Sequence, residues 1–291
     1  MSESTPALEF TGERFTPECV REIWYEHYHR YAFAQPIARG RRVLDAACGE
    51  GYGSALVASA AASVLGLDVS GQALDHARAR YAQPKLRFDQ ADVTALDHLP
   101  AASFVVLIVD EAQNLSFETL EHLHAQETML QGFRRLLAPG GLLLVSTPDK
   151  RNYTDIPQFH NEHHVRELYR EEFESLLAGI FPHRRLFAQK LLFQSSLWAL
   201  DVEEGRPAAA TLSREGSLSE GLAYPPLYYI AACAMEPLPV LPAVHLFGDA
   251  EESVYAHYNH EIRKNMAAGH RILELEAELA AARAELAALR G

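Results

Sequence analysis

The sequence predicts an α/β fold, a doubly wound, mostly parallel sheet carrying a C-terminal helical tail of coiled-coil type. Three observations predict it. Short apolar runs alternate with helix-length amphipathic segments from Arg41 to Ser146, and short connections between such elements build parallel strands with crossover helices. A glycine-rich turn, Cys48–Gly53, separates the first strand from the first helix after it. The run Phe104–Val109 is apolar throughout, as a strand covered on both faces must be.

The elements follow in order. Residues 1–40 read as an N-terminal cap: an irregular stretch to residue 17, then an aromatic helix from Glu18 to Gln35 bearing Trp24, Tyr25, Tyr28, Tyr31 and Phe33. Pro36 and Gly40 are expected to end it. Residues 41–238 form the main domain. Its strands are expected at Arg42–Asp45, Ser63–Leu67, Lys85–Gln90, Phe104–Val109 and Leu142–Ser146. Its helices are expected at Gly53–Ala62, Ser70–Tyr81 and Phe117–Leu137, the last closed by a Pro139-Gly140-Gly141 turn. A further helix, Tyr169–Ala178, precedes two strands, Arg185–Phe193 and Leu227–Met235, with a polar insertion at 200–222 between them. An insertion of that length is usually functional or disordered. Pro237, Pro239 and Pro242 mark a break. The tail, 250–291, carries Ile272, Leu275, Leu279, Ala282, Leu286 and Leu289 at 3-4-3-4-3 spacing, a short heptad seam suited to self-association or to packing as a single helix.

Composition narrows the function classes. With 39 acidic and 26 basic residues among 291, the net charge is −13, and the clustered Lys/Arg of a dedicated nucleic-acid binder is missing. A hydrophobic fraction of 48% supports a sizeable core and excludes whole-chain disorder. No apolar run reaches the ~20 residues that span a bilayer, and the first residues do not read as a secretion signal. Cys19, Cys48 and Cys233 are odd in number and widely spaced, which points to a reducing compartment. The expectation is a cytoplasmic globular protein.

The chemistry concentrates in Val43-Leu-Asp-Ala-Ala-Cys-Gly-Glu-Gly-Tyr-Gly53. Glycines there let the backbone approach a ligand, and the helix start offers N–H groups and a positive dipole end. Three acids sharpen the signal. Asp45 ends the first strand, where it meets an ammonium group. Asp68 ends the second, 17 residues after Gly51, near the ~20 expected of a ribose-binding acid. Asp92 follows the third, where it accepts from an adenine amino group. A pyrophosphate would be repelled by Asp45, whereas a cationic nucleoside bearing an amino acid would be attracted, and S-adenosylmethionine (SAM) is that molecule. The bland alternative is that each acid caps a helix or turn.

VLDAACGEGYGS, LGLDVSGQALDHARARY, FDQADVTAL and LLAPGGLLLVSTPDK resemble the successive motifs of class I SAM-dependent methyltransferases, over roughly residues 11–235. TGERFTPE, EHYHRYAFA and FHNEHHVRELYREEF resemble the bacterial members associated with glycan and lipopolysaccharide biosynthesis. The resemblance implies a Rossmann-like sheet of seven strands in the order 3-2-1-4-5-7-6. It implies a cofactor site of Asp45, Ala47, Gly49, Gly51, Asp68, Val69, Asp92 and Val93. Ala47 stands where many members carry glycine, which is tolerable if its φ is negative. Arg30 and Tyr31 would reach the methionine carboxylate, and Trp24 and Tyr28 could stack on a sugar or simply pack. Cys48 reads as a small packed residue.

After the fourth strand about six residues are extra. VVLIVDEAQNLS resembles an ATPase Walker B strand, but no GxxxxGK[ST] exists to hold phosphates. Phe117 and Glu118, in the family-like SFETLEHL, are therefore expected beside the sulfonium rather than Asp110. Methyl transfer is a direct displacement governed by positioning, and a hydroxyl acceptor also needs a base, for which His is the side chain tuned nearest neutrality. His122 is the expected base, with His164 and Asn161 as substrate contacts. A metal is not expected: His160, His163 and His164 with Glu162 or Glu167, or His27 with His29, lack the regular spacing of a zinc enzyme. The expected reaction is methylation of a hydroxyl or amine on a sugar or glycan, in a homo-oligomer joined through the C-terminal helix, with no nucleic-acid partner. The alternatives are a small natural-product or quinone-like acceptor, and an idle methyltransferase fold serving as a coiled-coil scaffold.

Overall fold

The structure, a computed structural model, describes residues 22–109, 120–201 and 208–290. Its central sheet contains β1 (Arg42–Ala46), β2 (Ser63–Asp68), β3 (Leu86–Gln90), β4 (Phe104–Val109), β5 (Leu137–Pro148), β6 (His183–Gln189) and β9 (Tyr228–Ala234). A separate two-stranded hairpin, β7 (Ala210–Leu212) and β8 (Leu218–Glu220), lies in the predicted insertion. The order is β3-β2-β1-β4-β5-β9-β6, which is the expected 3-2-1-4-5-7-6 once the two hairpin strands are left out of the numbering. The β3-β2-β1-β4-β5 pairs are parallel, and β9 is antiparallel to both neighbours.

The helices of the main unit are α1 (Glu22–Ala38), α2 (Tyr52–Ala58), α3 (Gly71–Arg80), α4 (Gln126–Leu136) and α5 (Arg170–Ala178). Successive strand residues point to opposite faces, and the core divides accordingly. Val43, Val64, Val106, Ile108, Leu142 and Leu144 pack with α1, α2 and α3 residues such as Tyr31, Val57 and Leu74. Leu44, Leu67, Leu107, Val109 and Val145 pack with Met129 and Phe133 of α4 and Phe173 of α5. Asp45 shares Val43's face, so its carboxylate is turned toward α1 and α2.

Several boundaries differ from the sequence expectation, each for a local reason. Pro36 lies inside α1 rather than ending it. A proline in the last turn removes a single ladder bond, and the chain turns only at Gly40, whose φ is +68°. The predicted helix Phe117–Leu137 begins only at Gln126, and residues 120–125 form turns, so His122 stands on a turn and not on a helix. Pro139-Gly140-Gly141 is part of β5, not a turn before it. Leu137 pairs with Phe104, and the register then shifts so that Leu142 pairs with Val106. The strand predicted at Arg185–Phe193 is shifted to His183–Gln189, because its partner ladder ends at Tyr228 and Pro225-Pro226 just before it have no N–H to donate.

One compact unit runs to Phe247 and a second begins at Gly248. The second holds α6 (Ser253–Arg290), a 38-residue helix. Asp249 accepts hydrogen bonds from the Ser253 amide and hydroxyl at its start. The seam residues Ile272, Leu275, Leu279, Leu286 and Leu289 are all exposed. Among the described residues no helix is long and apolar enough to cross a membrane.

Candidate active site

The turn after β1 is built by left-handed backbone. Ala47, Gly49 and Gly51 have φ of +61°, +52° and +78°, and α2 starts directly after Gly51, so its first N–H groups face the rim of the sheet. The Cys48 amide donates to the Leu67 carbonyl at 2.8 Å and the Gly51 amide to the Cys48 carbonyl at 2.9 Å, which ties the turn to β2. The negative φ that would make alanine tolerable at position 47 is not met. A left-handed conformation costs a non-glycine residue about 1–2 kcal/mol, while its buried methyl recovers about 0.8 kcal/mol. Ala47→Gly should therefore raise the unfolding free energy slightly, by less than about 1 kcal/mol, in a urea titration. A loss of stability would show that the turn carries no strain there.

Asp68 is the anchor of the turn. Its two oxygens accept from the Gly49 amide at 2.9 Å and the Ser70 amide at 2.8 Å, and the residue is buried. Asp45, fully buried, accepts from the Tyr31 hydroxyl at 3.1 Å and the Ser54 hydroxyl at 2.5 Å. Asp92 is exposed, and one of its oxygens accepts from the Thr94 amide and hydroxyl. Val69 is half-buried and Val93 buried beside these acids. Burial, with Asp45 and Asp68 alongside, holds the Cys48 thiol well above its ordinary pKa, so it stays protonated and packed. Glu50, within the turn, and His76 of α3 form a buried pair at 3.4 Å that sequence reasoning missed.

The aromatic helix α1 reaches this site mainly through Tyr31. Its ring fills the space over Gly53, where an added Cβ would come within 2.0 Å of Tyr31 Cζ. Trp24 and Tyr28 are half-buried, stacked on one another at 4.4 Å, and also meet Phe247 and Tyr52 respectively. Arg30 donates to Gln189 Oε1 at 2.8 Å, and its guanidinium lies 4.5 Å over the Tyr228 ring. It thus lines a cavity of about 430 Å³ with Tyr25, Glu26, Lys190 and Tyr224.

His29 faces His245 at 3.0 Å in the wall of the same cavity, and burial followed by that neighbour lowers its pKa to about 4. A folded-state value below the unfolded 6.5 means that the unfolded chain takes up a proton first as pH falls. Stability should then drop between pH 6.5 and 4 by roughly 3 kcal/mol from this group. Urea unfolding at pH 7 and pH 5 tests this, and His29→Phe should flatten the dependence.

The histidines of the other segment converge. The Val165 and Arg166 amides donate to the Glu121 carbonyl at 2.9 and 2.7 Å, and Gln126 Nε2 donates to the carbonyls of Leu120 and Arg166. These bonds join residues 120–126 to 161–168 and bring the His122 and His164 rings to 4.6 Å. His164 Nδ1 is 2.5 Å from Glu167 Oε1, which also accepts from the Thr154 hydroxyl. Asn161 holds the turn: its side-chain oxygen accepts from the His163 amide and its carbonyl from the His164 amide. Burial, with His164 and His163 alongside, pushes His122 down to about 2, so its imidazole is neutral and a weaker proton acceptor than the near-neutral base expected. His27 and His29 do not converge with this group, while Glu121 joins it without having been singled out. Phe117, Glu118 and Asp110 lie outside the described residues.

Both groups stand past the C-terminal ends of the parallel strands, where ligands bind in such sheets. Buried carboxylates at Asp45 and Asp68, an exposed one at Asp92 and a helix start after a left-handed turn fit the ammonium, ribose and adenine of SAM.

Known proteins agree with that fit. Residues 43–141 match a family described as a methyltransferase domain. A probable S-adenosylmethionine-dependent methyltransferase of Mycolicibacterium smegmatis is 37% identical over 176 residues, 59% of this chain and 64% of the relative. The chain thus spans somewhat under two thirds of that relative's length. The malonyl-[acyl-carrier protein] O-methyltransferase of Enterobacter lignolyticus is 30% identical over 204 residues, 65% of this chain and 77% of the relative. In fold alone, the YcgJ protein of Bacillus subtilis is similar at a TM-score of 0.50 and 17% identity, covering 72% of this chain and all of that one. Sequence, sheet order and rim chemistry converge on one conclusion: the chain belongs to the class I SAM-dependent methyltransferases.

Proposed function

We propose that the chain transfers a methyl group from SAM to a hydroxyl or amine of a sugar or glycan, acting in the cytoplasm. The observation that carries the methyl-transfer reading is the left-handed turn at the start of α2, tied to β2 through buried Asp68 and flanked by Asp45 and Asp92. When bound, SAM supplies a methyl group on a positively charged sulfur. Asp45 favours the ammonium end, Asp68 orients the ribose where the left-handed turn at Ala47, Gly49 and Gly51 lets the backbone come close, and Val69 and Val93 give the adenine an apolar wall. The acceptor oxygen or nitrogen would bond to the methyl carbon as the carbon–sulfur bond breaks and its electron pair leaves with sulfur as S-adenosylhomocysteine, and a hydroxyl acceptor would pass its proton to His122. His164 and Asn161 stand beside His122 as acceptor contacts, and Asn161 also holds the His164 turn through the His163 and His164 amides.

The sugar acceptor is supported by the resemblance of the α1 and His164 segments to glycan-associated members. An oxygen acceptor on a small acyl group is the second reading, favoured by the likeness to the Enterobacter malonyl-[acyl-carrier protein] O-methyltransferase. Isotopically labelled SAM incubated with candidate glycans, and separately with small acyl acceptors, decides between them by mass spectrometry. S-adenosylhomocysteine should raise the melting temperature in proportion to ln(1 + [L]/Kd). No shift at millimolar ligand would overturn the methyltransferase reading and leave a fold used as a scaffold.

The exposed seam of α6 supports pairing with a second copy of the chain. Removing residues 260–291 should halve the mass seen by light scattering, and an unaltered mass would end that proposal.

A further inference from the structure

We propose that Glu121, His122 and His164 bind one divalent transition-metal ion. One ligand atom from each lies within 4.8 Å of the others, the one such set among the described residues. The metal sets that the sequence suggests include His164 but neither Glu121 nor His122, because these donors come from turns 42 residues apart and not from a regularly spaced helix. Three features make it a built site. The two turns are locked together through backbone, by the amides of Val165 and Arg166 on the Glu121 carbonyl and by the Gln126 side chain across both. His164 is oriented: opposite the Glu167 carboxylate, Nδ1 must carry the proton, so Nε2 keeps its lone pair. A carboxylate behind an imidazole is the usual support of a metal-binding histidine, and the Thr154 hydroxyl fixes that carboxylate in turn. Finally, Glu121 and His122 are buried, so their donor atoms are kept from bulk water.

Two imidazoles and one carboxylate favour zinc, iron, cobalt or manganese over magnesium or calcium, which prefer all-oxygen shells. Three protein ligands leave coordination positions open, as in catalytic rather than structural metal sites. The class of ligand for those positions is an oxygen-bearing acceptor, a hydroxyl or carboxylate that the ion would hold and polarise. That role rests on the methyl-transfer reading and would replace His122 as proton acceptor, because a coordinated imidazole has no lone pair to spare; the ion site itself does not rest on that reading.

The full chain, stripped with a chelator, is titrated with cobalt(II) chloride and followed by its visible absorption, with stoichiometry checked by calorimetry. The expected result is one saturable ion per chain. His122→Gln and His164→Gln should each weaken it at least about 100-fold, and Glu167→Gln by about 10–100-fold. Circular dichroism shows that each variant is folded, and where one is not, the other two decide. Absence of saturable binding at millimolar cobalt, or binding unchanged in folded His122→Gln and His164→Gln, would overturn the site. The thermal shift with S-adenosylhomocysteine, measured on the metal-free chain, reports on the cofactor reading separately. Its loss with cobalt binding intact counts against methyl transfer and not against the ion.

Discussion

Asp68→Ala should abolish the thermal shift produced by S-adenosylhomocysteine and lower the stability of the ligand-free chain. The carboxylate accepts from the Gly49 and Ser70 amides. Its removal strands two largely buried N–H donors, at about 1–3 kcal/mol each. The same side chain is the ribose acid of the proposed site, so affinity should fall at least about 100-fold, which corresponds to about 2.7 kcal/mol. Asp68→Asn separates the two effects. It keeps the volume and one acceptor oxygen but turns an NH₂ toward one of the amides, so most of the fold survives while the ligand shift is still lost. A normal shift in folded Asp68→Ala would refute the ribose assignment and return Asp68 to a purely structural cap.

Gly53→Ala is the second large effect. Alanine ordinarily favours a helix by about 1 kcal/mol over glycine, and Gly53 lies in the first turn of α2. Here the added carbon would stand 2.0–2.3 Å from Tyr31 Cζ, Cε2 and Cε1. The ring is fully buried and packed edge-on against Tyr52, so it cannot retreat without breaking its hydrogen bond to Asp45. Overpacking costs about 1–3 kcal/mol, occasionally more, and the hydrogen bond to a charged acceptor about 1.5–3 kcal/mol. The clash therefore outweighs the propensity gain by about 2 kcal/mol or more, a fall of roughly 4–8 °C in melting temperature for a unit of this size. Tyr31→Phe isolates the hydrogen bond. Gly53→Ala combined with Tyr31→Ala should be more stable than the sum of the single changes predicts. An unchanged melting temperature for Gly53→Ala would mean that the ring is not seated on that glycine.

Local patterns made much of this legible from the sequence. Phe104–Val109 is apolar throughout, and the strand has those bounds. Ser70 caps α3 through the Ala73 amide, as its place before a helical segment predicts. Asp45, Asp68 and Asp92 end or follow consecutive strands, and their positions carried the cofactor reading. What was not legible depends on partners distant in the chain. The sign of φ at Ala47 is set by closing the turn onto Leu67, and the register of β6 by the prolines before β9. Arg30 shares a helix with Tyr31, yet it turns to Gln189 and Tyr228 while its neighbour reaches Asp45. The meeting of His122 and His164 leaves no trace in spacing, because backbone bonds across 42 residues create it.

The position of β6 and β3 at the two ends of the sheet bears on solubility. An unpaired outer strand invites another chain to add to it, and charged side chains discourage such growth. β6 carries His183, Arg184 and Arg185, and β3 carries Arg87 and Asp89, both exposed. Each border of the sheet thus repels strand addition, which protects the folded chain against fibrillar aggregation.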